Sequence, residues 1–372
     1  MGLKERLREK ALELGYEAAG FTGVEPMDLY IREVQSRPEM YAWVNTEPFS
    51  TLRGASPGTK HPWAHSMLVL VRNYYKKSFP PELEGLYGRC YMVDERKLPG
   101  EEKARLISFL EFLHDEGIKA YFDEEVPARM AAARSGIATY GKNCFVFAGE
   151  SMRGSSWLES IPLLLDVELE PDEPSVRLDC PPECKNACIK ACPTGALYEP
   201  LKMNPLKCIA FHTYYGEYIT PLELREPMGT WIYGCDRCQE ACPRNRPWMR
   251  LELPANHDLE SQVEDFLLTT ILNMGHSHYL EKVWPRFFYI SRKNIDRWQM
   301  NAARALGNLG DPDHIPALER SLAESPYPNV RAMSAWALGR IGGREARKAL
   351  EKRQGTDGSP VSEEIDLALH TT

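Results

Sequence analysis

Eight of the ten cysteines in this chain fall between residues 180 and 242, and their spacing constrains the fold more than any other feature. The first set reads Cys180-x3-Cys184-x3-Cys188-x3-Cys192-Pro193. The second reads Cys208, a gap, then Cys235-x2-Cys238-x3-Cys242-Pro243. Thiolates are soft ligands that suit iron–sulfur clusters or zinc. The prolines after Cys192 and Cys242 lack an N–H and fix φ, so the chain turns sharply after each of these ligands. Two sets of four favour two clusters, and two clusters in series imply electron transfer.

The pattern resembles the bacterial ferredoxin run, in which three cysteines hold one [4Fe–4S] cluster and a fourth, before proline, crosses to the other. That resemblance assigns Cys180, Cys184, Cys188 and Cys242 to a first cluster, and Cys208, Cys235, Cys238 and Cys192 to a second. The first two gaps are three residues here instead of two, which alters the hydrogen bonding around the cluster and with it the potential. Three rivals stand beside this reading. Cysteines at i, i+4, i+8 and i+12 also form a stripe on one helix; the ligands also suit zinc; and clustered cysteines in secreted chains form disulfides.

The N-terminus, MGLKERLREKALELGYEAAGF, is a charged amphipathic helix without an apolar export region or twin-arginine start. No run of about 18 apolar residues occurs, so no membrane partner is expected. A reducing cytoplasm with metal-bound thiolates is therefore the expected setting. The net charge of -8 argues against a generally basic nucleic-acid binder but leaves room for a local basic face.

The fold class expected is α+β, in three parts. Residues 1–175 alternate helical and extended patterns: a helix over Leu3–Leu14, a buried strand over Ser66–Asn73, a helix over Glu101–Glu116, a strand over Ile118–Phe122, a helix over Val126–Ser135, and strands over Cys144–Ala148 and Leu163–Leu169. This order implies a layered α/β domain. Proline and acid residues thicken at Glu170–Pro174, and the double-cluster module follows over 176–250. In residues 251–372, Ala305-Leu-Gly-Asn-Leu-Gly310 recurs 32 residues later as Ala337-Leu-Gly-Arg-Ile-Gly342. That period is typical of HEAT-like helical repeats. Two legible units are too few to stand alone, so they should dock on the preceding domain. The tail from Gly355 is polar, with a helical turn or two at Glu363–Leu369.

Around the second cysteine set the text becomes specific. Cys208-Ile-Ala-Phe-His-Thr-Tyr-Tyr-Gly-Glu-Tyr-Ile-Thr-Pro and Leu224-Arg-Glu-Pro-Met-Gly-Thr-Trp-Ile-Tyr-Gly-Cys-Asp-Arg-Cys-Gln-Glu-Ala-Cys-Pro resemble the epoxyqueuosine reductase family. Upstream, Ala132-Ala-Arg-Ser-Gly-Ile-Ala-Thr-Tyr-Gly-Lys-Asn143 is similar to that family's cobalamin-domain signature, and Gly154-Ser-Ser-Trp157 follows at a similar distance. The resemblance implies a cobalamin beside an α/β domain, two [4Fe–4S] clusters relaying single electrons, and an epoxide on a modified tRNA base reduced to an alkene. It also implies an electron donor such as ferredoxin or flavodoxin. Two other readings are kept: a small-molecule substrate, as in the related reductive dehalogenases, and an electron-transfer or scaffold protein whose HEAT units bind a partner.

The resemblance points to Gly141, Lys142, Asn143, Ser155 and Trp157 as cobalamin-binding candidates, with His212 facing cobalamin or cluster. The alternatives are an ordinary turn for Gly-Lys-Asn and a structural role for His212. The chemistry needs a proton donor, ideally a carboxylic acid kept partly protonated in a dry pocket. The family's V-D-x-x-P stretch appears here as Tyr121-Phe-Asp-Glu-Glu-Val-Pro127, with Asp123 one residue out of step. Asp123, Glu124 and Glu125 are candidates, against a solvated acidic turn. The family's R-D-Y-H segment is missing; Tyr91 in its neighbourhood is a second donor candidate, and Cys90 a candidate cobalt ligand or reactive thiol, against simple packing. Trp231 and Tyr233 either shield the second cluster or pack. For tRNA, basic and aromatic residues interleave at Arg244, Arg246, Trp248 and Arg250 and again over Arg286–Lys293; the alternative is a solvated basic edge.

Overall fold

A computed structural model describes residues 2–45, 50–94, 98–148, 154–287 and 290–371. The chain packs into two compact units, each assembled from separate stretches. The first comprises 1–76, 99–205 and 237–253; the second comprises 77–98, 206–236 and 254–372.

The first unit is organised by a four-stranded sheet. Its strands are β1 (Ala18–Thr22), β2 (Ser66–Asn73), β3 (Ala120–Phe122) and, after the hairpin of β4 (Ala138–Tyr140) and β5 (Val146–Ala148), β6 (Leu158–Leu165). The order is β1-β2-β6-β3, and every neighbouring pair runs antiparallel. All eight residues of β2 are buried, because successive side chains point to opposite faces and both faces are covered. Met67, Val69 and Val71 pack with Met130, Ala131 and Ala132 of the helix Ala128–Arg134. Leu68 and Leu70 pack with Leu7 and Ala11 of the helix Leu3–Glu13 and with Phe109 and Leu113 of the helix Glu101–Asp115. Each such aliphatic side chain contributes roughly 1.5–3 kcal/mol on burial.

β6 begins five residues before the expected Leu163. Its polar start carries Glu159, cross-strand from the buried Arg72, whose guanidinium Nε donates to it at 2.7 Å. Pro162 is tolerated because β3 pairs only with Leu163–Leu165, so β6 is an edge on that side at Pro162. The first unit also holds the cysteine segment, with the helix Ala187–Ala191, the ribbon of β7 (Leu197–Glu199) and β8 (Lys202–Met203), and the short helix Arg237–Glu240.

The second unit is helical. Its repeat helices are Ile295–Leu309, Ile315–Glu324, Pro328–Ile341 and Gly343–Arg353, and their alanine- and leucine-rich faces share one core with Tyr87, Tyr233, Phe266 and Phe287. The tail differs from expectation. Val361–Thr371 is a full helix that buries Val361, Ile365 and Ala368. Gly339 permits its approach, since a Cβ there would fall 2.6 Å from the Ala368 Cβ. Among the described residues, no helix is long and apolar enough to cross a membrane.

Candidate functional site

The first-cluster set is assembled within the first unit. Pro182–Cys184 forms a turn of 3-10 helix; Lys185 and Asn186 then take left-handed φ values of 45° and 60°, and a new helix starts at Ala187. Two successive left-handed residues rule out the single helical stripe. After the break, Cys180, Cys184, Cys188 and Cys242 lie near enough for their charges to couple. Burial pushes the Cys188 thiol up to about 11, and the like charges of Cys184, Cys242 and Cys180 add to this. Four thiols whose charges couple in this way are a donor set that fits a [4Fe–4S] cluster. None of the ten cysteines is in a disulfide. Of the second set, Cys192 ends the helix Ala187–Ala191 and Cys238 lies on the helix Arg237–Glu240. Cys208 caps the helix Ile209–Tyr214 in the second unit, which also carries Cys235.

A buried polar network fixes the Cys242 strand of the site. Ser156 Oγ donates to Gln239 Oε1 at 2.9 Å, and the Ser156 N–H donates to Asn245 Oδ1 at 2.9 Å. Asn245 Nδ2 donates to Ser156 Oγ and to the Gln239 carbonyl, both at 2.9 Å. Gln239 and Asn245 were not singled out in the sequence. Their only mark there is position, three residues either side of Cys242.

The Gly-Lys-Asn turn leads from β4 to β5. A Cβ on Gly141 would fall 2.3 Å from the Phe147 ring, so glycine is needed there. Asn143 Oδ1 accepts from the Phe145 N–H at 3.2 Å, and Cys144 takes a left-handed φ of 64°. The Lys142 N–H donates to Cys180 Sγ at 3.3 Å, which ties this turn to the first cysteine set. Ser155 and Trp157 expose 0% and 2% of their surface. Ser155 Oγ accepts from the Trp157 N–H at 3.2 Å, and the indole lies against Tyr74 and Tyr75. Their surroundings are thus the unit's own core, with the Trp157 Nε1 as an unpartnered buried donor. Lys142 offers an ammonium that forms no hydrogen bond or ion pair among the described residues and so suits a corrinoid phosphate, whereas Ser155 and Trp157 are enclosed in the core.

The acidic stretch divides. Glu124 is exposed, whereas Asp123 and Glu125 are buried. Asp123 accepts from Lys60 Nζ at 2.8 and 2.9 Å, pairs with His61 Nε2 at 2.9 Å, and accepts from the Glu125 N–H. Burial pushes its pKa up, but the hydrogen bonds from Lys60 and His61 and the Lys60 charge outweigh it, leaving the carboxyl below its ordinary range. Glu125 is drawn down to about 2, first by its hydrogen bond from Arg53, then by Lys60 and the Ser50 N–H. These are ionised carboxylates in a cation clamp, unlike the partly protonated acid expected. Gly54 lets the stretch sit close, since a Cβ there would fall 2.1 Å from the Glu125 backbone.

In the second unit, Tyr91 packs edge-on against Tyr233, with centroids 5.1 Å apart, and beside Tyr214. Burial raises the Tyr91 phenol well above its usual pKa, with Tyr214 adding to it. It is therefore a protonated donor. His212 is buried; its Nε2 meets the Leu206 carbonyl at 2.7 Å, and desolvation lowers its pKa, so it is neutral. Trp231 joins Ile209, Leu224 and Met228 in an apolar cluster packed against Cys235.

One side of the first repeat helix, Ile295–Leu309, holds the backbone between Cys208 and Cys235. Arg297 donates to the Gly216 and Glu217 carbonyls, Asn301 to those of Thr213 and Ile232, Arg304 to those of Gly229 and Trp231, and Asn308 to those of Arg225 and Gly229. These residues recur at i, i+4, i+7 and i+11, one helical stripe.

The basic candidates also divide. Arg244 folds inward, over the Phe147 ring at 4.2 Å, with Nη1 donating to the Asp179 carbonyl. Arg286 is 2% exposed and bonds the Met92 carbonyl, Asp258 and Gln262. Arg246, Arg250, Arg292 and Lys293 are exposed. Phe288 and Tyr289 lie outside the described residues.

Comparison with known proteins agrees with this geometry. Residues 180–245 match the family described as "4Fe-4S double cluster binding domain", and residues 296–369 match "HEAT repeats". An epoxyqueuosine reductase of Staphylococcus aureus is 28% identical, over 99% of this chain and 97% of its own length. That of Bacillus subtilis is 30% identical, over 95% and 92%. The B. subtilis enzyme's structure, solved with its catalytic aspartate loop swung out of the active site, superposes with a TM-score of 0.79 at 26% identity, covering 99% of this chain and 98% of that one. A structure of an epoxyqueuosine reductase with an epoxyqueuosine-modified tRNA-Tyr stem loop superposes equally well, with a TM-score of 0.79 at 25% identity and the same coverage. With this likeness along nearly its whole length, carrying both the double-cluster segment and the repeats, the chain belongs to the epoxyqueuosine reductase family.

Proposed function

We propose that this chain reduces epoxyqueuosine in tRNA to queuosine, with two [4Fe–4S] clusters as the electron relay and cobalamin as the group that meets the epoxide. The observation that carries the reading is its full-length likeness to reductases of which one was solved with an epoxyqueuosine-modified stem loop. The same observation favours tRNA over a small-molecule substrate, and catalysis over a purely electron-transfer or scaffold role.

The reaction breaks both C–O bonds of the epoxide, takes up two electrons and two protons, and yields an alkene and water. An external donor such as ferredoxin or flavodoxin supplies the electrons one at a time. Cobalamin, when bound, supplies a metal centre that delivers them to carbon. Lys142 is the residue proposed to hold it, with Gly141 and Asn143 shaping the turn and Ser155 and Trp157 in the core of the same unit. Asp123 is proposed to act as the anion that holds the Lys60 ammonium and His61, and so keeps a proton store at the site. Tyr91 is the proposed second donor, kept as a neutral phenol by burial. Exposed Arg246 and Arg250 are proposed to meet tRNA phosphates.

The test is complementation. A bacterial strain without its own reductase accumulates epoxyqueuosine; supplied with cobalamin and this chain, it should make queuosine. Full-length, iron-loaded protein in such cells with no queuosine would refute the reading.

A further inference from the structure

Arg244, a candidate for phosphate contact beside the alternative of a solvated edge, folds against its own unit. It stands two residues after Cys242, and its guanidinium reaches back to the residue before Cys180. Nη1 donates to the Asp179 carbonyl at 2.6 Å and lies 3.6 Å from the Asp179 carboxylate. The guanidinium carbon sits 4.2 Å from the Phe147 ring centroid, a cation–π contact on the strand that follows the Gly-Lys-Asn turn. Gly154 makes room for it: a Cβ there would fall 2.3 Å from Nη2. An arginine is thus folded into a fitted slot and bonded next to one ligand while its backbone adjoins another. The Asp179 backbone is itself held by hydrogen bonding to Tyr140, and its carboxylate accepts from Thr139 at 3.2 Å, so the anchor is fixed. The same corner carries the Lys142 N–H on Cys180 Sγ.

We propose that Arg244 is a positioning residue for the redox chemistry: its fixed positive charge raises the reduction potential of the first [4Fe–4S] cluster, the one held by Cys180, Cys184, Cys188 and Cys242. One-electron reduction adds one negative charge to the cluster and breaks no bond. A cation held beside two ligands stabilises the reduced form, and fixed charge and hydrogen bonds at sulfur are the levers that set such potentials. Asp179, beside the guanidinium, offsets part of that charge. The inference rests on cluster occupancy, which belongs to the family reading, but not on the identity of the substrate.

The test is a redox titration of the anaerobic holoprotein, followed by electron paramagnetic resonance, with iron measured on the same samples. Arg244→Gln should shift one cluster by about tenfold in its one-electron equilibrium, about 59 mV more negative, and leave the other in place. Arg244→Lys should keep most of the potential. Asp179→Asn should move the same cluster in the positive direction, and it remains informative if Arg244→Gln fails to assemble. Unchanged potentials in Arg244→Gln and Asp179→Asn at normal iron content would overturn the proposal. So would an Arg244→Gln protein whose only defect is weaker, less salt-dependent binding of a tRNA stem loop. No turnover of epoxyqueuosine by the unchanged holoprotein, with the predicted shifts in the variants, would fault the substrate reading instead.

Discussion

Removing one amide from the first repeat helix should loosen the segment that carries Cys208 and Cys235. Asn301 is 1% exposed, and its Nδ2 donates to the Thr213 carbonyl at 2.9 Å and the Ile232 carbonyl at 3.0 Å. Both acceptors demand the nitrogen there, which fixes the amide's orientation. Asn301→Ala leaves two buried carbonyls unpaired at about 1–3 kcal/mol each. It also removes the Asn301 Oδ1, itself a buried acceptor without a partner among the described residues, which returns about 1 kcal/mol. The expected net loss is about 1–5 kcal/mol, a sizeable share of a domain's roughly 5–15 kcal/mol. Denaturant unfolding of the iron-loaded protein under anaerobic conditions measures this. Iron should fall toward the four atoms of one cluster as the second is lost first. An unfolding free energy within about 0.5 kcal/mol of the unchanged protein, the scatter of ordinary surface substitutions, would refute the claim that this stripe holds the cluster-bearing backbone.

Other outcomes follow from the same geometry. Glu125 has a folded pKa of about 2 against 4.5, so its stabilisation is present above pH 4.5 and disappears as pH falls toward 2; Glu125→Gln should remove about 2 kcal/mol near neutrality, after discounting solvent screening at the part-exposed Arg53, and flatten the acid limb of a stability–pH curve. Gly54→Ala drives a Cβ into the Glu125 backbone and should cost about 1–3 kcal/mol by thermal unfolding, with turnover falling more than iron content. Arg246→Ala and Arg250→Ala should each weaken stem-loop binding and flatten its logarithmic salt dependence by about 0.7–0.9 per lost phosphate contact; unchanged slopes would remove these residues from the tRNA surface.

The parts legible in the sequence were those written locally. The strand Ser66–Asn73 shows as an apolar run because both its faces are buried, and the repeats show through their period. The cysteine spacing announced two clusters, while the left-handed pair Lys185 and Asn186, which separates helix from ligand loop, carried no glycine to mark it. What escaped was long-range. Nothing near Asp123 reveals that Lys60 and His61 will neutralise it, or that Arg53 will pair with Glu125. Arg244 among Pro and Trp reads as surface because Phe147 and Gly154, its slot, are about ninety residues away. The stripe Arg297, Asn301, Arg304 and Asn308 was readable as polar residues at helical spacing, but not the carbonyls it serves. The tail helix looked polar because its burial needs only Val361, Ile365 and Ala368.

The most direct test of the account is a single anaerobic assay. Protein reconstituted with iron, sulfide and cobalamin, given a low-potential reductant and a stem loop bearing epoxyqueuosine, is digested to nucleosides and analysed by mass spectrometry. The account predicts queuosine, formed at two electrons consumed per epoxide lost and only when cobalamin is present. Intact epoxyqueuosine after exposure to protein carrying about eight irons and bound corrinoid would contradict it.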